Sequence, residues 1–412
     1  MQVLHERCCG LDVHKKTVVA CALVTQADGT VQRRVRTFGT MTGELLALSD
    51  WLSGLEVTEI ALESTGVYWK PVFNLLEGEG RTIVLVNPQH MKAVPGRKTD
   101  VKDSEWLADL LRHGLVRASF IPPAPIRELR ELTRYRKTLV RERGQETQRL
   151  QKLLETANLK LSAVATNVLG ASGRAMLAAL LDGEDDPAVL AELARGKLRA
   201  KLPALRQALE GRVKPYHRVL LGELLGHITY LDEAIARLYD AIERHLAPFA
   251  EAVERLQTIP GVSATAAATI IAEIGVDMTR FPSHKHLASW AGVCPGNRQS
   301  GGKRLSGKPT KGDVWLRAVL GEVAWAASRT RDTYLRAQFE RLARRRGRKK
   351  AVVAVGHSIL VIIYHLLRTG QDYRDLGTDY FATLDSDRVT QHHVQRLSLL
   401  GYEVTLIPKE AA

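Results

Sequence analysis

The sequence has few aromatic residues and few cysteines, and each shortage excludes a class of protein. Aromatic residues make up 6% of the 412 positions, which argues against a broad platform for stacking nucleic-acid bases. The cysteines are Cys8, Cys9, Cys21 and Cys294, and no two of them have the CxxC spacing of a zinc or redox motif. Because an adjacent pair is a poor disulfide framework, we expect a reduced, cytosolic protein without structural zinc.

Apolar runs that are long enough for a signal or a membrane span are also scarce. The N-terminal residues MQVLHERCCGLDVHKK contain no apolar signal core, so we expect a cytoplasmic protein. The most apolar segment, Ala351–Leu367, is about one span long but contains His357 and His365. We therefore predict a buried helix there and no membrane partner.

Positive charge is concentrated in one C-terminal segment. The chain has a net charge of +14, and residues 298–350 contribute +12 of it through 16 basic and four acidic residues. The stretch RLARRRGRKK, Arg341–Lys350, carries one sign only, whereas a solvated helix face usually mixes both. A nucleic-acid contact surface is predicted at this basic run, which comprises Arg344, Arg345, Arg346, Arg348, Lys349 and Lys350.

The first 120 residues alternate between strand and helix patterns. A three-strand meander is predicted over residues 8–39, with an Asp28-Gly29 turn, and further strands at 58–64 and 81–87. Helices are predicted at 42–55, 67–78 and 99–115. A meander that continues into βαβ units gives a mixed sheet with helices packed on it, which is the element order of the ribonuclease H fold.

The rest of the chain is predicted to be mainly helical, so the fold class is α/β plus α. Pro122, Pro123 and Pro125 mark a boundary, after which residues 126–161 form a long helix with partial heptads, typical of a coiled-coil arm. We predict three domains: an α/β domain at 1–120, a helical coiled-coil segment at 121–250 and a C-terminal domain at 251–412.

Four acids stand at positions where this fold would bring them together. Asp12 lies in the first strand, Glu63 ends the fourth, and Asp100 and Asp103 are one helical turn apart at the start of the next helix. Taken singly, Asp12 and Glu63 are explained as caps of strand ends and Asp100 as a helix N-cap. Together, hard oxygen donors that repel one another favour a pair of divalent cations such as Mg²⁺, as in phosphoryl transfer. His14 is close enough to bind metal, although a lone histidine is more often structural.

Two C-terminal motifs bear on DNA binding. Leu256–Gly275 has the pattern of a helix-hairpin-helix whose turn at Gly261 would offer backbone N–H groups to a phosphate, and an ordinary helix pair explains it equally well. Gly302–Lys308 spells GxxxxGK, but Pro309 replaces the metal-binding hydroxyl and no apolar strand precedes it, so we exclude an ATP-binding loop.

Ser300 precedes two glycines in a basic surrounding. A serine beside glycines can approach a phosphate closely, and nearby cations can hold it. On the residues alone Ser306 is nearly as plausible a nucleophile, and no dedicated base lies beside Ser300. The cations are Arg298, Lys303, Arg304, Lys308 and Lys311.

Several segments together resemble a known family. They are similar to the DEDD-type insertion-sequence transposases, which are related to Piv-like DNA invertases. The members of this transposase family act as bridge-RNA-guided recombinases. The segments are GLDVHK, ALESTGVYW, VNPQHMKAVPGRKTDVKDSEWLADLL and the later IPGV, ASWAG and SGGKR. The resemblance extends over nearly the whole chain. It implies a RuvC-like N-terminal domain with DEDD acids, a coiled-coil segment and a C-terminal transposase domain. The residues that it makes catalytic are Asp12, Glu63, Asp100, Asp103 and Ser300.

The same resemblance implies Mg²⁺ as cofactor, and DNA with a structured non-coding guide RNA as partners. A bacterial, nucleoid-associated location is expected with them. Recombining two duplexes calls for several active sites, so a homodimer or homotetramer is expected. The alternatives are a RuvC-like, structure-specific endonuclease that uses water, and a non-enzymatic nucleic-acid-binding protein whose acids are structural.

Overall fold

The computed structural model describes residues 2–63, 66–78, 80–87, 100–296, 298–306, 311–383 and 386–407. Of residues 100–102, 298–300, 304–306, 382–383 and 386–389 it describes the backbone only. Two compact units are present, Met1–Ile121 and Pro122–Ala412. The further division of the second unit at residue 250 stays a prediction.

The first unit is a mixed five-stranded sheet with helices on both faces. Its strands are ordered β3-β2-β1-β4-β5, with β1, β2 and β3 antiparallel and β1, β4 and β5 parallel. The predicted pairing of the first and fourth strands is confirmed. The elements are β1 Arg7–Val13, β2 Thr17–Thr25, β3 Val31–Gly39, α1 Thr42–Gly54, β4 Glu59–Glu63, α2 Trp69–Leu76, β5 Thr82–Val86 and α3 Asp100–Arg112.

Side chains alternate along β1 between two separate cores, as they must in a pleated strand. Cys9 and Leu11 belong to the core on one face, together with Leu48 of α1 and Leu76 of α2. On the other face, Cys8 and Ala61 pack against α3 through Leu107, Ala108 and Leu111. The sheet is therefore covered on both sides, and the α3 face is the one to which even-numbered residues of β1 point.

The second unit is almost entirely helical. Its two longest helices, of 33 and 32 residues, pack against each other along their length. The helices are α4 Ala124–Thr156, α5 Leu161–Val164, α6 Ala171–Leu181, α7 Pro187–Glu192, α8 Leu202–Leu209, α9 Pro215–Leu246, α10 Ala250–Gln257, α11 Ala264–Ile274, α12 His284–Trp290, α13 Val314–Ala327, α14 Tyr334–Arg346, α15 Arg348–Thr369, α16 Tyr380–Thr383 and α17 Ser386–Leu399, with a hairpin of β6 Arg298–Ser300 and β7 Lys303–Ser306 and 3₁₀ turns at Gly196–Lys201, Ala247–Phe249 and Met278–Arg280.

Within the described part of the chain, α15 is the one helix long and apolar enough to cross a membrane, and half of its apolar window is buried. It packs against α13 and α14. Val355 and Ile359 are fully buried, and Gly356 lies against Leu320 of α13. These are the contacts of a core helix, so the prediction of a buried helix is confirmed and no membrane is indicated.

Candidate active site

Asp12 is a nearly buried carboxylate at the carboxyl end of β1. Only 8% of the residue is exposed, and Nε2 of His14 donates a hydrogen bond to its Oδ2 over 3.1 Å. Asp12 alternates with Leu11 and Val13, which face the core under α1 and α2, so its side chain is on the α3 face. Burial of a charge is costly unless a cation or hydrogen-bond donor compensates it.

Glu63 occupies the matching position on the neighbouring strand. The parallel register pairs Gly10 with Ala61 and Leu11 with Leu62, so the next step along each strand reaches Asp12 and Glu63. Glu63 is half-buried and shares the face of Ala61, which packs against α3. Because neighbouring strands lie about 4.8 Å apart, the two acids stand side by side at one sheet edge.

Helix α3 runs antiparallel over β1 and so leads toward the same edge. The N–H of Leu4 donates to the carbonyl of Arg112, and the thiol of Cys8 donates to the carbonyl of Ala108. Two residues further along β1, a Cβ on Gly10 would lie 2.2 Å from the carbonyl oxygen of Ser104. Residues of β1 that are closer to Asp12 therefore lie against residues that are closer to the N-terminus of α3.

Asp103 lies in that N-terminal turn of α3 and is half-buried. It precedes Leu107 by four residues, and Leu107 packs on the sheet, so the two share the helix face that is turned to the sheet. Asp100 is the first residue of α3, but its side chain lies outside the described residues. The backbone thus directs Asp12, Glu63 and Asp103 to one edge of the sheet. Asp100, the fourth predicted acid, is the first residue of α3.

The chemistry of this donor set fits a hard divalent cation, since carboxylate oxygens are the ligands that Mg²⁺ and Ca²⁺ prefer. Among the residues whose side chains are described, no three His, Cys, Asp or Glu side chains form a ready metal-binding group. The side chain of Asp100, one of the four predicted metal ligands, is not among them.

The three cysteines of β1 and β2 are buried. Burial raises the pKa of Cys8 to about 12 and that of Cys21 to about 11. Cys9 is fully buried, and its pKa is raised well above the ordinary value for the same reason. All four cysteines are free, and these three stay protonated as part of the packed sheet.

In the second unit, Ser300 is the last residue of β6, directly before the hairpin turn. It pairs with Lys303, and Gly301 and Gly302 form the turn with φ of 55° and 74°. Glycine adopts positive φ at both turn positions without steric cost, which explains the two glycines of this two-residue hairpin. Lys303 and Lys311 are exposed. The side chains of Arg298, Ser300, Arg304 and Ser306 are outside the described set, and Lys308 lies wholly outside the described residues.

The predicted helix-hairpin-helix segment forms α10, a turn and α11. Ser263 caps α11 by accepting a hydrogen bond from the N–H of Ala266. Gly261 in the turn has a φ of +87°, and a Cβ there would lie 2.5 Å from the backbone nitrogen of Ala327 in α13. Glycine is thus required at this position by the packing of the turn on α13, and a DNA contact at Gly261 stays a prediction.

The basic run lies at the junction of α14 and α15. Gly347, with a φ of +83°, ends α14 and precedes α15. Arg344, Arg345 and Arg346 are at the favourable C-terminal end of α14, whereas Arg348, Lys349 and Lys350 oppose the dipole at the N-terminus of α15. All six are exposed, and none makes an ion pair with another described residue. Unpaired cations at a helix N-terminus favour a polyanionic partner.

Comparison with known proteins gives matches in both units. A transposase family model of the DEDD type of IS110 elements matches residues 9–159, and a model of the IS116/IS110/IS902 transposase family matches residues 253–340. The first range includes the four acids and the second includes Ser300 and Gly261, while the basic run lies beyond it.

Curated relatives agree with these models. The transposase of insertion sequence element IS1111A from Coxiella burnetii is 26% identical over 376 residues, which cover 89% of this chain and 90% of the relative. The transposase of element IS1328 from Yersinia enterocolitica is 33% identical over 116 residues, 28% of this chain and 34% of the relative. A putative transposase, y4qE, from Sinorhizobium fredii is 27% identical over 62% of this chain and 55% of its own length.

The sequence resemblance to insertion-sequence transposases is thereby confirmed from both ends of the chain. The two family models match in order along one polypeptide, and a relative of similar length aligns over nearly all of it. A non-enzymatic binding protein is excluded on this ground. The chain belongs to the IS110 family of insertion-sequence transposases and is a DNA transposase.

Proposed function

We propose that this transposase cuts and rejoins the DNA strands of an insertion sequence with two groups of residues, the DEDD acids and Ser300. The register of β1 and β4 supports the role of the acids, because it places Asp12 beside Glu63. Helix α3 brings Asp103 toward the same edge of the sheet. We assign a RuvC-like ribonuclease H fold to the first unit, because a meander followed by βαβ units with acids at these strand ends has that order.

Asp12, Glu63, Asp100 and Asp103 would hold divalent cations, for which we propose Mg²⁺. When bound, two such ions stabilise the attacking and leaving oxygens of a phosphoryl transfer. The protein supplies the ligands and their orientation. His14 fixes the carboxylate of Asp12 through its hydrogen bond, as an outer partner of a metal ligand does.

The replacement Asp12→Asn tests this acid site. The amide has nearly the same shape but no charge, so strand cleavage should fall by at least about 100-fold while DNA binding persists. Asp28→Asn, at an exposed acid that bonds Thr30 in the β2–β3 turn, is the matched control and should keep full activity. A fully active Asp12→Asn protein would remove the basis of the proposal.

Ser300 is proposed as the nucleophile of the strand exchange. Its Oγ would attack a DNA phosphorus and form a serine–phosphate ester as the sugar oxygen leaves. A strand hydroxyl of the new partner would then attack the ester and release the serine. The hairpin supports this role, since it places Ser300 at a tight turn, paired with the exposed Lys303. The sequence around Ser300 is also rich in basic residues that can bind the phosphate. These residues are Arg298, Lys303, Arg304, Lys308 and Lys311.

Two serine replacements separate this mechanism from its alternatives. Ser300→Ala should abolish both strand exchange and the covalent protein–DNA adduct seen after denaturation, while Ser306→Ala should retain them. If adducts instead depend on Ser306, the nucleophile is misassigned. If Ser300→Ala still cuts DNA at the wild-type rate, the protein is a RuvC-like, structure-specific endonuclease that uses water, because the acid site lies wholly in the first unit.

We further propose a structured non-coding guide RNA as a second partner, bound in the cytoplasm near the nucleoid together with DNA. The exposed basic run and the turn at Gly261 are the surfaces that we assign to nucleic acid. Nucleic acid that copurifies with the protein should contain one discrete structured RNA when it is extracted and sequenced. A random mixture of cellular RNA fragments would contradict guidance by RNA.

A further inference from the structure

Two pairs of opposite charges meet where α4 packs against α11. Glu273 of α11 is fully buried. Arg134 of α4 donates from Nε and Nη2 to the two carboxylate oxygens of Glu273 over 2.8 and 2.7 Å. Arg130, one turn earlier, donates to the carbonyl oxygens of Ala272 and Glu273 over 3.0 and 2.5 Å. These carbonyls belong to the last turn of α11, so Arg130 caps that helix end.

Asp313 extends the group to α13. Its Oδ2 accepts from Nη2 of Arg134 over 3.1 Å. Its Oδ1 accepts from the backbone N–H groups of Trp315 and Leu316 over 2.9 and 2.7 Å, which makes Asp313 the N-cap of α13. Glu273 is the buried centre of a group with no net charge, whose other members, Arg130, Arg134 and Asp313, are partly exposed. We call this group the tetrad.

Burial and pairing shift the pKa values of three members of the tetrad. Burial raises the pKa of Glu273 and lowers the pKa of Arg130. Burial also lowers the pKa of Arg134, but the hydrogen bonds and charge of Glu273 outweigh it, so the pKa of Arg134 is raised overall. A guanidinium in a bidentate pair is directional, so the tetrad fixes orientation as well as charge.

The segment that carries Ser300 begins and ends beside this tetrad. It follows α12, which ends at Trp290, and it enters α13 at Asp313. A Cβ on Gly312 would lie 2.3 Å from the carbonyl carbon of Ala291 and from the nitrogen of Gly292, so the two ends of the segment are in direct backbone contact. The chain between residues 292 and 312, which includes the β6–β7 hairpin, therefore leaves and rejoins the helices at one point.

We propose that Arg134 is a positioning residue for strand exchange: through Asp313 it fixes the base of the Ser300 segment to the long helix α4. The inference rests on the proposed nucleophilic role of Ser300. Nucleophilic attack needs the reacting atoms within a few tenths of an ångström of their productive geometry, and a misplacement of about 1 Å costs about 100-fold in rate. A short glycine-turn hairpin has no core of its own, so its position is set where it is attached.

An exposed ion pair between α4 and α13 provides an internal control. Lys137 of α4 bonds Glu322 of α13 over 2.5 Å, and both side chains are about half exposed. Such surface pairs contribute little, because solvent screens them. Lys137→Ala should therefore leave the Ser300 segment and the reaction unchanged.

The decisive variant is Arg134→Lys, which keeps the charge but cannot form the two-pronged bond. We expect the rate of the Ser300–DNA adduct to fall by roughly 10- to 100-fold, while the dissociation constant for DNA changes by less than about twofold. Hydrogen exchange should rise at the backbone amides of residues 311–316, including the capped N–H groups of Trp315 and Leu316, and stay unchanged in α4 and α9. Unchanged exchange together with wild-type adduct formation would overturn the proposal, as would exchange raised equally throughout the second unit.

A double variant distinguishes positioning from simple stabilisation. Arg134→Leu combined with Glu273→Leu replaces the bidentate pair by apolar side chains, a change that often leaves stability unchanged or improved when the pair is buried. If the melting temperature recovers but adduct formation stays slow, Asp313 has lost its tether as proposed. If adduct formation recovers as well, the tetrad acts on stability alone and the proposal is wrong.

Failure of the proposed nucleophile would be recognisable separately, because hydrogen exchange does not depend on catalysis. Exchange that rises at residues 311–316 in Arg134→Lys, with adducts that persist in Ser300→Ala, would leave the tether in place and remove Ser300 from the reaction.

Discussion

Gly10 has no side chain, which allows the backbones of β1 and α3 to approach each other closely. A Cβ on Gly10 would lie 2.2 Å from the carbonyl oxygen of Ser104 and 2.5 Å from the nitrogen of Ala108, both backbone atoms that cannot move aside alone. Gly10→Ala should therefore push α3 outward and lower the free energy of unfolding by about 1–3 kcal/mol, as overpacking does. Urea denaturation would measure it.

The same shift should separate Asp103 from Asp12 and reduce strand cleavage more than stability alone explains. Gly43→Ala is the matched control, since a Cβ there meets nothing within 4 Å and alanine favours the helix. The expectation fails if Gly10→Ala is as stable and as active as Gly43→Ala.

Buried thiols make the stability of the first unit depend on alkaline pH. The pKa of Cys8 is raised from 9.0 to about 12 and that of Cys21 to about 11, so the folded state disfavours the thiolates. Their contribution is complete below pH 9 and is lost as pH rises toward 11–12, at about 1.4 kcal/mol per pH unit for each thiol. Cys8→Ala should flatten the fall in unfolding free energy between pH 9 and 11. Identical pH slopes for the two proteins would contradict this account.

At the scale of single elements, three basic residues at the start of α15 oppose the stability of that helix. Arg348, Lys349 and Lys350 stand at the positive end of α15, where acids would be preferred. Replacing them with glutamate should leave the melting temperature unchanged or raise it. The same variant should bind nucleic acid more weakly, and its binding constant should depend less steeply on salt. The log–log slope should fall by roughly one unit for each phosphate that the protein no longer neutralises.

Lys197→Glu, at an exposed cation in the 3₁₀ turn Gly196–Lys201, is the control for this measurement. It changes net charge by the same amount per residue without touching the junction. Equal salt slopes for wild type and the junction variant would remove the basic run from the binding surface.

Across the whole molecule, the reaction itself makes a demand on assembly. Recombination joins strands of two duplexes, so one acid site and one serine per complex are too few. We expect the protein on DNA and RNA to have the mass of a homodimer or homotetramer, as measured by mass photometry. A complex with a single protein chain that still recombines DNA would contradict the proposed mechanism.

Much of the fold follows from local pattern. Strand alternation and the Asp28-Gly29 turn predicted the meander, and the leucines predicted the long helix, whose observed limits, Ala124–Thr156, differ from the predicted ones by a few residues. The pairing of the first and fourth strands followed from element order alone. Gly10 could have been recognised too, since a glycine within a strand often marks a close backbone approach.

The sequence by itself determined which elements form and which acids stand at their ends, because helix and strand patterns depend on residues a few positions apart. Only the tertiary structure decided that Gly10 lies under Ser104 and that Arg134 joins Glu273 and Asp313 from 139 and 179 residues away. Contacts at such separations leave no periodic signal in one sequence. They depend on which helix faces meet, and burial then selects the charges that can pair.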